Sequence, residues 1–145
     1  MIVRARWVLP IGAAPVDGGW VRLSGGVVRE IGAGRPTEAH TDLGDTAVLP
    51  GLVNAHTHLE LSWMRGLVPP ARAMLVWIAA LMTIRREQAP PEAEQARVAA
   101  GALAEARAGG TVAFGEITNT LATARVLGES GAAGVLFHEL LGFAP

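Results

Sequence analysis

Apolar and polar positions follow two different rhythms, and the change falls at Pro50-Gly51. Before it, residues 2–9, 20–23, 27–31 and 46–49 are short apolar runs. They are broken by Asp17-Gly18-Gly19, by Ser24-Gly25-Gly26 and by the stretch 32–36. Short runs with this punctuation predict a meander of β-hairpins. After Gly51 the pattern predicts a strand over 52–59, then a loop through Pro69-Pro70. Met74, Trp77, Ile78, Leu81 and Met82 recur at helical spacing and predict a helix whose stripe packs into a core. Pro90-Pro91 ends that helix. Pro91 suits the first turn of the next, where Glu92 and Glu94 complement the helix dipole.

The second helix presents a small-residue face of Ala96, Ala99, Ala100, Leu103 and Ala106 and stops at Gly109-Gly110. A strand over 111–117 follows, then a short helix capped by Asn119 and ending near Gly131, then a strand over 134–141. Strands separated by helices imply a parallel sheet with right-handed crossovers. The expected organisation is therefore α/β, with a strand-rich segment 1–50 and an alternating segment 51–145.

Composition narrows the function classes. Half of the 145 residues are hydrophobic, which excludes intrinsic disorder. The formal net charge is −1 and all twelve basic side chains are arginines. Only Arg85 and Arg86 are adjacent, so no basic patch for nucleic acid or a membrane surface is expected. Without cysteine there is no disulfide or thiolate site, which suits a reducing cytoplasm. Pro10 and Pro15 interrupt the apolar start, so it does not read as a signal peptide, and no apolar run is long enough to span a bilayer.

The densest chemistry lies in Pro50-Gly51-Leu52-Val53-Asn54-Ala55-His56-Thr57-His58-Leu59-Glu60-Leu61-Ser62. Side chains alternate along a strand, so His56 and His58 share a face and can reach one ion. Neutral imidazoles suit zinc and neighbouring first-row metals. Two half-buried histidines without a ligand role are the plainer reading of such a pair. Polar residues follow at once, however, placing the pair at the C-terminal mouth of its strand, where parallel barrels carry their sites.

The run 49–62 resembles the signature of the amidohydrolase superfamily, metal-dependent hydrolases built on a (β/α)₈ barrel. Upstream, Thr46-Ala47-Val48-Leu49-Pro50-Gly51 looks like the end of the small β-sandwich domain that precedes such barrels. Arg65-Gly66-Leu67 and Trp77 look like the chlorohydrolase and aminohydrolase branch, and 56–62 is most similar to aminofutalosine-type deaminases. The resemblance implies part of a β-sandwich over 1–50 and a partial TIM barrel over 51–145, with its first three βα units and truncation after the third strand. It implies His56 and His58 as ligands of one divalent metal, zinc or iron. The metal would activate a water that attacks a ring or amidine carbon, with ammonia leaving.

Other residues carry paired expectations. Glu60 either binds a substrate amine or hydroxyl at the pocket mouth or is a solvated loop carboxylate. Arg65 contacts substrate or serves a surface role, while Trp63 and Met64 line a planar-ring pocket or pack on neighbours. Glu116 and Glu139 are candidates to hydrogen-bond a ligand histidine from behind. His138 alternates with Glu139, so only one of the two faces inward, and His40 is expected at the surface.

The family pattern needs further histidines, an acid-base glutamate and an aspartate from later strands, and a complete barrel takes about 200 residues or more. The chain alone is therefore expected to be an N-terminal portion, marginally stable and without turnover. The partner for the intact enzyme is a small molecule, with self-association or pairing through open sheet edges also expected. Two readings compete with deamination: a non-catalytic remnant or interaction module, and a family member with another reaction, such as an imidazolonase or dechlorinase.

Overall fold

A computed structural model describes residues 1–140, and the expected end of the last strand at Leu141 lies outside them. The chain divides into two compact units, Met1–Pro50 and one that begins at Gly51.

In the first unit the run expected over 2–9 is two strands, not one. β1 (Ile2–Arg4) and β2 (Trp7–Val8) are separated at Ala5, which is fully buried. β3 is Val16–Asp17, β4 Gly19–Ser24, β5 Val27–Ala33, β6 Thr41–Asp42 and β7 Ala47–Val48. One sheet has the order β5-β4-β1-β6 and the other β3-β2-β7. The break at Ala5 lets one apolar run serve both sheets.

The hairpin meander holds only in part. β4 and β5 form a hairpin through Gly25 and Gly26, whose φ values of 60° and 74° give the left-handed pair that a tight two-residue turn needs. β1–β6 and β2–β7 instead pair in parallel, through long connections that local pattern does not reveal.

Gly32 lies opposite Trp20 across the β4–β5 ladder, and a Cβ there would fall onto the indole, 2.7 Å from Nε1. The indole covers the glycine backbone in place of a side chain. Gly32→Ala is expected to displace Trp20 and destabilise this unit by about 1–3 kcal/mol. Urea titration followed by tryptophan fluorescence checks it, and an unchanged midpoint would contradict it.

The second unit contains β8 (Leu52–Thr57), a 3₁₀ turn over Leu59–Met64, α1 (Met74–Gln88), α2 (Glu92–Ala108), β9 (Thr111–Thr118), α3 (Thr123–Glu129) and β10 (Ala133–His138). The sheet order is β10-β9-β8 and both pairings are parallel. Leu59 leaves the strand expected for it and starts the 3₁₀ turn.

Ala99 and Leu103 of α2, Leu127 of α3, Leu59 and Phe114 form the core, with Ala102, Ala106 and Val126 packed around them. The alanines let α2 lie close to the sheet. The expectation for α1 fails: of its stripe Met74 is 76% exposed, Trp77, Ile78 and Met82 are exposed, Leu81 is half-buried, and the helix buries no residue. Periodicity marks a face able to be buried, but burial also requires a packing partner. Among the described residues none encloses this stripe fully. Val135 and Phe137 of β10 are similarly half-exposed.

Candidate functional site

The β8–β9 ladder is irregular where the chemistry lies. Asn54 pairs with Phe114 and Thr57 with Glu116, so β8 uses one more residue than β9 across this interval. The extra residue makes a bulge at Ala55-His56, a device that re-aims side chains at the rims of sheets. The Asn54 side-chain oxygen accepts the His56 backbone N–H at 3.2 Å and supports the bulge locally.

His56 and His58 are brought together with their Nε2 atoms 3.2 Å apart, ring centroids 5.1 Å apart and ring planes at 66°. Two nitrogens each about 2.0–2.1 Å from a tetrahedral ion lie about 3.3 Å apart, so this spacing fits a shared ion. The Nδ1 of His58 is buried without a hydrogen-bond partner. Among the described residues, no group of three or more metal-ligating side chains converges.

Glu116, on β9 beside Thr57, is completely buried. Both of its carboxylate oxygens accept the Leu59 backbone N–H at 3.0 Å, and Oε1 also accepts the Thr123 hydroxyl at 3.0 Å. Burial is the largest influence on its pKa and leaves the carboxyl above its usual range. Hydrogen bonds from Leu59, Thr123 and the Glu60 backbone, with the field of His58, oppose the rise.

Glu60 is neither solvated nor free for a ligand: it is 4% exposed and its oxygens are occupied by protein donors. It accepts from the Thr118 hydroxyl at 2.5 Å, the Thr120 hydroxyl at 2.7 Å, the Asn119 backbone N–H at 3.0 Å and Arg85 Nη2 at 3.0 Å. Burial pushes its pKa up most strongly, but the hydrogen bonds from Thr118, Asn119 and Thr120 and the Arg85 charge together hold it below the usual range. These bonds also secure a strained turn, since Leu121 has a left-handed φ of 60°.

Asn119 does not cap a helix. The cap of α3 is Ala122, and the Asn119 amide instead donates to the Glu139 backbone oxygen at 2.8 Å and side chain at 3.1 Å while accepting from Arg85 at 2.8 Å. Its side chain is worth more bridging three elements than closing one short helix.

The remaining candidates lie elsewhere. Arg65 pairs with Glu105 of α2 at 2.9 Å, and Trp63 and Arg65 line a groove along α2 that includes neither histidine. Met64 is buried. A ring nitrogen of His138 lies 3.2 Å from the Asn119 carbonyl oxygen, and His40 Nδ1 lies 2.9 Å from that of Glu38. The bulge, the bond from Leu59 to Glu116 and the role of Arg85 had no signal in the sequence pattern. The only hint was a pair of acidic residues at the ends of apolar runs.

No protein-family model matches the chain. The 5-methylthioadenosine/S-adenosylhomocysteine deaminase of Nitratidesulfovibrio vulgaris (strain DSM 19637 / Miyazaki F) is 32% identical over 108 residues, which cover 70% of this chain and 24% of that protein. The crystal structure of Helicobacter pylori aminofutalosine deaminase in complex with methylthio-coformycin matches with a TM-score of 0.80 at 21% identity, over 99% of this chain and 36% of that one. An adenosine deaminase from Xanthomonas campestris with bound zinc matches with a TM-score of 0.70 at 26% identity, over 92% and 32%. The chain thus spans about a quarter of the curated relative and about a third of these solved structures.

Proposed function

This chain belongs to the amidohydrolase superfamily, and from that we propose that it carries the first two metal ligands, His56 and His58, of a hydrolase that cleaves a non-peptide C–N bond. One observation carries the reading: two imidazole Nε2 atoms converge to 3.2 Å at the end of a parallel strand. On this reading residues 1–50 are part of a β-sandwich domain, and the β8–β9–β10 sheet with its helices is part of a (β/α)₈ barrel.

A divalent ion, zinc by analogy with the zinc-bound relative, supplies Lewis acidity and a nucleophilic water usable at neutral pH. This chain's own residues hold and orient. His56 and His58 would hold the ion through their ring nitrogens, and the bulge at Ala55-His56 aims the first of them. Glu116 and Glu60 keep the segment after His58 in place. The deaminases among the relatives support a purine-like or cyclic amidine substrate that loses ammonia. The remaining ligands and the acid-base group come from outside the described residues, and the protein acts in the cytoplasm.

The test is ammonia release from 6-aminopurine nucleosides by the extended product of the same gene, loaded with zinc. Activity that a chelator abolishes and zinc restores is the expected outcome. Chloride release from chlorotriazines without ammonia would move the reaction to dechlorination, and failure to hydrolyse either class would overturn the assignment. A second reading, an interaction module, is favoured by one observation: β8 and β10 are the edges of the described sheet, and Val53 of β8 and Val135 of β10 are 68% and 57% exposed. Light scattering on the chain separates the two, because a monomer argues against pairing.

A further inference from the structure

We propose that Glu116 and Glu60 act together as positioning residues for metal capture, a reciprocal clamp that sets the His58 imidazole at the depth where its Nε2 meets that of His56. The proposal rests on the reading of the histidine pair as ligands.

The clamp works in both directions between the β8 exit and β9. From β9, Glu116 receives the N–H of Leu59, the residue immediately after His58, at 3.0 Å on each oxygen. From the β8 exit, Glu60 reaches back to the end of β9 and takes donors from Thr118, Asn119 and Thr120. The chain leaving His58 is thus tied to β9 by main chain at one position and by side chain at the next. His58 itself makes no side-chain bond to cap the 3₁₀ turn that follows it, so the buried Glu116 carboxylate caps that turn from a neighbouring strand.

His58 needs such external support. Its Nδ1 is buried without a partner, so no hydrogen bond at that nitrogen fixes the ring's orientation, and the Nε2 meets only the other imidazole. Orientation comes instead from the backbone on either side. Thr57 is held by its register with Glu116 and Leu59 by the Glu116 carboxylate, so one residue governs both flanks of the ligand. Removing the outer support of a metal-ligating histidine typically weakens metal binding by about 10- to 100-fold.

The test is zinc affinity of the whole chain, measured by competition with a chromophoric chelator at a temperature where circular dichroism shows every variant folded. Glu116→Gln keeps the size of the side chain but replaces one acceptor oxygen with a donor, and is expected to weaken zinc binding about tenfold or more. Val126→Ala, which trims the same core, is expected to leave zinc affinity within twofold of wild type while lowering the melting temperature. That contrast separates positioning from general loss of stability.

Should Glu116→Gln fail to fold, Thr123→Val removes only the hydroxyl that steadies the same carboxylate and is expected to weaken zinc binding about threefold, a fraction of the full effect. Unchanged zinc affinity in the folded variant would overturn the clamp. The companion His58→Ala protein keeps the two ideas apart. If it too binds zinc like wild type, the ligand reading has failed; if it loses zinc while Glu116→Gln does not, only the clamp has failed.

Discussion

His58→Ala is expected to weaken zinc binding by more than about 100-fold, a larger loss than that from removing an outer support. It should also leave the fold of the metal-free chain intact. The histidine contributes an Nε2 that meets His56 at 3.2 Å and a buried Nδ1 with no hydrogen-bond partner. An unsatisfied buried polar atom costs about 1–3 kcal/mol, which offsets the cavity left by truncating the ring. The metal-free variant should therefore melt within about 1 kcal/mol of wild type. His56→Ala should lose zinc similarly, and its exposed ring makes its effect on stability smaller still. Chelator competition and urea titration on both variants check this. Tight zinc binding by either one would show that the ions bind elsewhere.

Gly115→Ala carries the largest expected effect on the fold. A Cβ at this position would overlap the Ala55 carbonyl, 2.8 Å from its carbon. The obstacle is backbone, which cannot rotate aside as the end of a side chain can. Ala55 comes this close because β8 bulges between Asn54 and Thr57, and the bulge presses its carbonyl onto β9. An alanine must either separate the central strand pair or iron out the bulge that aims His56. The expected cost is about 3 kcal/mol or more, at the upper end for overpacking. Urea unfolding of the chain measures it, and zinc affinity of the residual folded protein should fall with it. A midpoint shift worth less than about 0.5 kcal/mol would show that the two strands slide apart freely.

Much of the local structure was legible because it depends on local terms. Pro90-Pro91 and Gly109-Gly110 bracket α2 where expected, since proline and glycine act on the backbone directly. The Gly25-Gly26 turn follows from the left-handed φ values that glycine alone adopts easily. Asn119 departs from the helix cap its position suggests because an amide that can cap a helix can equally bridge Arg85 and Glu139, and only their proximity settles which. The α1 stripe stays unburied although its spacing is helical, because periodicity is a property of one helix and burial a property of two surfaces.

For the candidate site the same boundary holds. The spacing of His56 and His58, their place at the end of an apolar run and the turn residues before them are one-dimensional facts, and they sufficed to point to a metal and a hydrolase family. The tertiary structure decided how the pair is held. The bulge that turns His56, the glycine that admits it, and the two carboxylates clamping the chain after His58 join residues about sixty positions apart. Each depends on close packing between neighbouring strands, where a single methyl group or hydrogen bond decides the outcome. Local sequence determines which strands and helices can form, and the register between strands determines which side chains meet.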